Sequence, residues 1–221
     1  MRFMESRTVV REEGKRSSFE LRRDQILCAA RACFSENGFH GTSIADLSQL
    51  SGMSSGHIYH YFQSKEAIVE AIAESTLMEI LEVHGEIINR PDVLDGLISH
   101  AVETSIQFSR LENSRLRLEI LSEAPRNVRL ARIVQDFDRR ARESTFSILK
   151  SINRSTGTCA SDAELEARFE ILGALVSGFL VRSVKGGRIE EDVLRQSLRR
   201  VFFLILMPDF KAHIDCWTDN Q

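Results

Sequence analysis

No stretch of this 221-residue chain approaches the ~18 consecutive apolar residues of a membrane span. No apolar run follows the amino-terminal charges, so no signal peptide is expected and the chain reads as cytoplasmic. Its four cysteines, Cys28, Cys33, Cys159 and Cys216, form no CxxC pair and have no histidine at metal-ligand spacing. They read as reduced thiols, with Cys28 and Cys33 expected to pack within the first helix. None of the six histidines has a glutamate three residues before it, which excludes a ferritin-like metal site. GxxxxGK[ST], GxSxG and GxGxxG are also missing. No catalytic residue, metal or cofactor is therefore expected, and an enzyme built on the carboxylates Glu119 and Glu123 is the weaker reading. A net charge of −3 rules out a uniformly basic surface. The charge is unevenly spread, however: up to Lys65 there are nine Lys/Arg against seven Asp/Glu, and beyond it acidic residues dominate. That asymmetry fits a DNA-facing head on a body that does not touch DNA.

Alternating strand patterns and internal repeats are absent too, so the fold is expected to be all-α with about nine helices. Residues 1–19 read as a flexible, mixed-charge arm, with Met1 or Met4 as the start. Helical spacing of Leu21, Ile26, Leu27, Ala30, Cys33 and Phe34 predicts a helix over 19–37, stopped by Gly38 in a left-handed conformation. Phe39 is expected to plug the head's core. A long helix runs from Ser64 to about Asn89, long enough to leave the head and enter a second domain as one rigid element. Pro91 breaks the chain, and further helices are expected over 92–108, 114–124, 128–154, 162–184 and 190–207. Asn127 is expected to cap the helix over 128–154, and the stripe Ala131, Val134, Phe137, Ala141, Thr145, Ile148 and Ile152 to face inward.

The stretch Thr42–Lys65 organises the rest. Ile44, Leu47 and Leu50 give one short helix, and Ile58, Tyr59 and Phe62 another, with Ser51-Gly52-Met53 between them. Thr42 or Ser43 can cap the first helix, with Asp46 at the capping-box position. Gly52 falls where the backbone must take positive φ. Met53 supplies a buried contact and Ser54 caps the second helix. In a helix-turn-helix the second helix lies in the major groove. Ser54, Ser55, Gly56, His57, Tyr59 and His60 are what this one would present.

The run ILCAARACFSENGFHGTSIADLSQLSGMSSGHIYHYFQSKEAI, within residues 22–70, resembles the DNA-binding domain of the TetR/AcrR family of bacterial transcriptional regulators. The Gly-Thr-Ser, Tyr-x-Tyr-Phe and Ser-Lys signatures of that family fall on Gly41-Thr42-Ser43, Tyr59-His60-Tyr61-Phe62 and Ser64-Lys65. The resemblance implies phosphate contacts from Thr42, Tyr59 and Lys65, and base or nearby backbone contacts from Ser55, Gly56, His57 and His60. Ser43 and Ser54 complete the DNA-binding set. Many relatives carry Lys at the position of Ser55 and Thr at that of His57, so this reading helix has less fixed positive charge.

The expected organisation is a head over 20–66 and an effector-binding and dimerisation domain over 67–221. The last two helices carry more apolar residues than one inward stripe needs. Leu172, Val176, Phe179, Leu194, Leu198, Val201, Phe202 and Ile205 are therefore expected to form a four-helix homodimer interface, as in the family. Polar and aromatic residues on otherwise apolar faces, namely His100, Thr104, Gln107, Glu119, Glu123, Phe137 and Phe146, are candidates for an effector pocket. For Glu119 a surface ion pair with Arg115 is the alternative. The expected function is a sequence-specific, ligand-responsive regulator, a repressor released from its operator by a small molecule. A DNA-binding dimer without an effector is the alternative.

Overall fold

A computed structural model describes residues 17–157, 160–186 and 190–207. Among these residues it contains nine helices and no strand: α1 Ser18–Gly41, α2 Ile44–Ser51, α3 Ser55–Tyr61, α4 Lys65–Ile88, α5 Val93–Ser109, α6 Leu111–Glu123, α7 Val128–Ser155, α8 Asp162–Lys185 and α9 Glu191–Leu206. The all-α expectation holds. Cys159, Cys216 and Pro208 lie outside the described residues, as does the expected arm up to residue 16. Helix begins at Ser18, inside the segment read as arm, because Ser17 and Glu20 form a capping box.

Local chemistry starts most of the helices. Ser43 with Asp46 and Ser161 with Glu164 form capping boxes, while Ser64, Asp92 and Asn127 accept first-turn amides through their side chains. Two expectations shift. Gly38 has φ 75° and ψ 170°, a positive φ but not the left-handed helical conformation, so it kinks α1 and a further turn follows to Gly41. Helix α6 opens at Leu111 rather than Ser114, whose fully buried hydroxyl instead donates to the Phe108 carbonyl at 2.6 Å.

Two cores result. The first gathers Ile26, Ala30, Phe34, Phe39, Leu47, Met53, Ile58 and Phe62, closed from below by Ile68, Val69 and Ile72 of α4 and by Leu130 of α7. The second joins Ile87 of α4 to α5, α8 and α9 through Val102, Ile106, Leu165 and Phe202, with Ile148, Leu149 and Ile152 of α7. Thus α4 and α7 each supply side chains to both cores. Of the inward stripe expected on α7, Ile148 and Ile152 are fully buried. Leu21, Leu50 and Cys28, expected to pack, are exposed.

The carboxy-terminal pair also differs from expectation. Leu172, Leu198 and Phe202 are buried within the protomer's own core, and Val176, Phe179, Leu194 and Ile205 pack half-buried against it. Helices α8 and α9 both lie on α5. The apolar surplus that remains exposed is Ile171, Val181, Val184, Val193, Val201 and Leu204, of which Val201 alone was in the expected set.

Between the two cores α4 buries His84, whose Nδ1 lies 2.9 Å from Ser144 Oγ on α7 and whose ring meets His100 of α5 edge-on at 5.4 Å. Burial, and then the neighbouring His100, push the His84 imidazole down to about 4, and burial lowers His100 as well. The folded chain therefore holds neutral rings that the unfolded chain protonates at a pKa of ~6.5. Stability from this pair is complete above that value and is lost as pH falls toward about 4. Thermal melts between pH 7.5 and 4.5 are expected to show a smaller acid-induced drop for His84→Gln than for the wild type; equal drops would contradict the assignment.

Candidate nucleic-acid interface

The reading head is built around a seven-residue helix, α3. Ser54 Oγ accepts the His57 amide at 3.3 Å, giving the helix a fixed start. Gly52, at φ 68° and ψ 16°, takes the left-handed turn between α2 and α3 that a Cβ would resist. Met53 then packs into the core, 5 % exposed, and its carbonyl accepts the Ser48 hydroxyl at 2.5 Å. Ile58 is the anchor at 0 % exposure, with Phe62 beside it.

Everything else on α3 follows from that anchor. Ser54, Gly56, His57, Tyr59 and His60 are exposed and Ser55 is half-buried, so the sequence-derived reading face is one continuous surface. Tyr61 organises it from behind: its ring lies 5.4 Å from His57, 5.5 Å from His60 and 4.6 Å from Phe19. Sequence reasoning missed Phe19, which brings the start of α1 against α3, and Arg23, whose guanidinium sits 5.6 Å over the Phe62 ring. The aromatic spacing in α3 was visible; the partner from α1, some forty residues away, was not. At the other end, Ser43 is exposed and its backbone N–H and hydroxyl hold the Asp46 carboxyl below the usual carboxylate range.

Two side chains expected at phosphates have partners within the chain. Thr42 is 1 % exposed, and its hydroxyl donates to the carbonyls of Cys33 at 3.1 Å and Gly38 at 2.8 Å. Its side chain seals the kink in α1. Lys65 Nζ donates to the carbonyls of Phe39 at 2.6 Å and Thr42 at 2.8 Å, and lies 4.7 Å over the Phe39 ring. Its ammonium clamps the end of α1 to the start of α4.

The expected effector residues do not converge on one cavity. Glu119 Oε1 accepts the Phe39 amide at 2.9 Å, so it engages the head and not Arg115. Glu123, 7 % exposed, pairs with His40 Nε2 at 2.9 Å. Gln107 is exposed and its side-chain Oε1 accepts from Asn113 Nδ2 at 2.7 Å. Phe146 lies beneath Lys150, 5.1 Å from its ammonium. His100 faces His84, Thr104 is half-buried on α5, and Phe137 lines a groove of about 290 Å³ between α4 and α7. A second groove, of about 650 Å³ between α5 and α9, is lined by none of the expected residues.

A compact head whose third helix is capped, anchored by one buried side chain and exposed along its length defines a helix-turn-helix DNA-binding regulator. Comparison with known proteins agrees. Residues 26–72 match the family described as bacterial regulatory proteins, tetR family, and residues 95–202 match the carboxy-terminal domain of BetI-type transcriptional repressors. The HTH-type transcriptional repressor AcnR of Corynebacterium diphtheriae is 25 % identical over 190 residues, covering 83 % of this chain and 94 % of that one. The HTH-type transcriptional regulator UidR of Escherichia coli is 33 % identical over 114 residues, 52 % of this chain and 57 % of that one. Among solved structures, Salmonella enterica GusR superposes with a TM-score of 0.71 at 26 % identity, covering 86 % of this chain and 97 % of that one. The chain belongs to the TetR family of transcriptional regulators.

The reassignment of Lys65 is testable through salt. Removing a phosphate-binding lysine reduces the slope of log K against log[salt] by about 1. Lys65→Met is expected to lower the melting temperature and leave that slope unchanged; a reduced slope in a fully folded variant would restore the phosphate contact.

Proposed function

We propose that this chain is a cytoplasmic, operator-specific repressor that binds DNA as a homodimer and is released by a small-molecule effector. The carrying observation is the outward face of α3, where His57, Tyr59 and His60 stand exposed on a helix held by Ile58. Side chains that donate and accept hydrogen bonds at a helix start are what base-edge reading requires. Ser43, Ser54, Ser55 and Gly56 border the same face and would meet phosphates or let the backbone approach. The head is proposed to span 20–66 and the body 67–221.

Dimerisation rests on the apolar surplus of α8 and α9. Ile171, Val181, Val184, Val201 and Leu204 are each at least 40 % exposed. A second copy of the same pair would cover them and would place two heads for half-sites one helical turn apart, ~34–36 Å. Among the described residues no helix is long and apolar enough to cross a membrane, which agrees with this reading.

For the effector, His100 beside His84 and the α4–α7 groove at Phe137 are the places where a ligand would disturb α4. A ligand that favours the conformer with wrongly spaced heads weakens operator binding by the same coupling factor. The repressors among the relatives support the sign of this response.

Fluorescence anisotropy on DNA flanking the protein's own gene, repeated across salt concentrations, tests the reading. A specific site is expected to bind at least ~10³-fold tighter than random DNA, and His57→Ala and Tyr59→Ala are each expected to cost about 1–3 kcal/mol at that site. Equal affinity for all sequences, or no effect of either substitution, would overturn it.

A further inference from the structure

Two carboxylates of α6 reach across to the head. The head turns at Gly38, whose φ of 75° and ψ of 170° lie in a region essentially reserved for glycine. A Cβ at this position would stand 2.7 Å from Glu119 Oε1, so the carboxylate occupies the space that the missing side chain leaves. From there it accepts the Phe39 amide at 2.9 Å, eighty positions away in sequence. One turn further along α6, Glu123 pairs with His40 at 2.9 Å, and Leu116, Ile120 and Ala124 pack against the head's core.

The segment so held is the one from which α2 departs. On its other side the Phe39 and Thr42 carbonyls are gripped by Lys65 of α4. Phe39 therefore has its N–H fixed by α6 and its carbonyl fixed by α4. Since Ser43, the cap of α2, follows four residues later, the orientation of α2 and α3 depends on both grips.

We propose that Glu119 is a positioning residue for DNA reading: with Glu123, it sets the angle at which the body holds α3. It forms a further, polar route, beside the packing of α4 and α7, by which the state of the body reaches the head. This rests on the operator reading above, and Glu119 itself touches no DNA. In a dimer, the head angle fixes the distance between two reading helices, so loosening it broadens the range of half-site spacings that can be bound.

The experiment measures affinity for an operator series whose half-site spacing is lengthened and shortened by one and two base pairs, using the full chain. The wild type is expected to lose about tenfold or more away from its preferred spacing, and Glu119→Ala no more than about threefold. Glu119→Gln, whose amide oxygen still accepts the Phe39 N–H, is expected to restore the wild-type profile. Should Glu119→Ala fail to fold by circular dichroism, Glu119→Asp withdraws the carboxylate by one methylene and carries the same expectation. A wild-type spacing profile in folded Glu119→Ala or Glu119→Asp, or a uniform loss at every spacing, would overturn the proposal. Failure of the wild type to prefer any site would instead remove the operator reading beneath it.

Discussion

Ile58 is the one fully buried side chain of a helix only seven residues long, and the reading surface depends on its seat. A helix of this length has no independent stability in water, because nucleation costs more than so few hydrogen bonds return. Its existence and its rotation about its own axis are both imposed by the core contributed by α1, α2 and α4. Once Ile58 is seated, Gly56, His57, Tyr59 and His60 face outward, while Tyr61 packs half-buried against the core. The same packing that makes the head fold thereby selects which residues can meet a base pair.

The head is not a separate bead on a string. Helix α4, 24 residues and ~36 Å long, lends Ile68, Val69 and Ile72 to the first core and Ile87 to the second. Helix α7 does the same through Leu130 at one end and Ile152 at the other. Close-packed interiors respond to displacement by switching between arrangements rather than by bending smoothly. A change of packing in the body is therefore carried to the head by two helices at once, while α6 adds polar contacts from Glu119 and Glu123. The His84–His100 pair sits on this path, with His84 buried against α7 and His100 half-buried on α5.

What could be read from the sequence was the local part. The caps at Ser43, Ser54 and Asn127 involve partners within a few residues, as does the turn at Gly52, and all are where the pattern places them, while Ser64 and Asp92, expected to open their helices, cap them. The outward face of α3 was legible for the same reason. Long-range partners were not. Thr42 and Lys65 carry groups suited to phosphate, yet carbonyls of the α1 terminus claim both. Glu119 and Glu123 looked like buried charges in need of a ligand, and their partners lie about eighty positions earlier in the chain. Leu172, Leu198 and Phe202 were assigned to a partner chain because apolar excess says that something covers a face, without saying whether α5 or another molecule does so.

Dimethyl sulfate protection on the operator bears most directly on the central claim, that α3 enters the major groove with the face Ile58 leaves exposed. Guanine N7 opens onto that groove and adenine N3 onto the minor groove. The account predicts protection at guanine N7 in two patches about one helical turn apart, lost when His57 and Tyr59 are both replaced by alanine. Protection confined to adenine N3, or N7 protection that survives the double substitution, would contradict it.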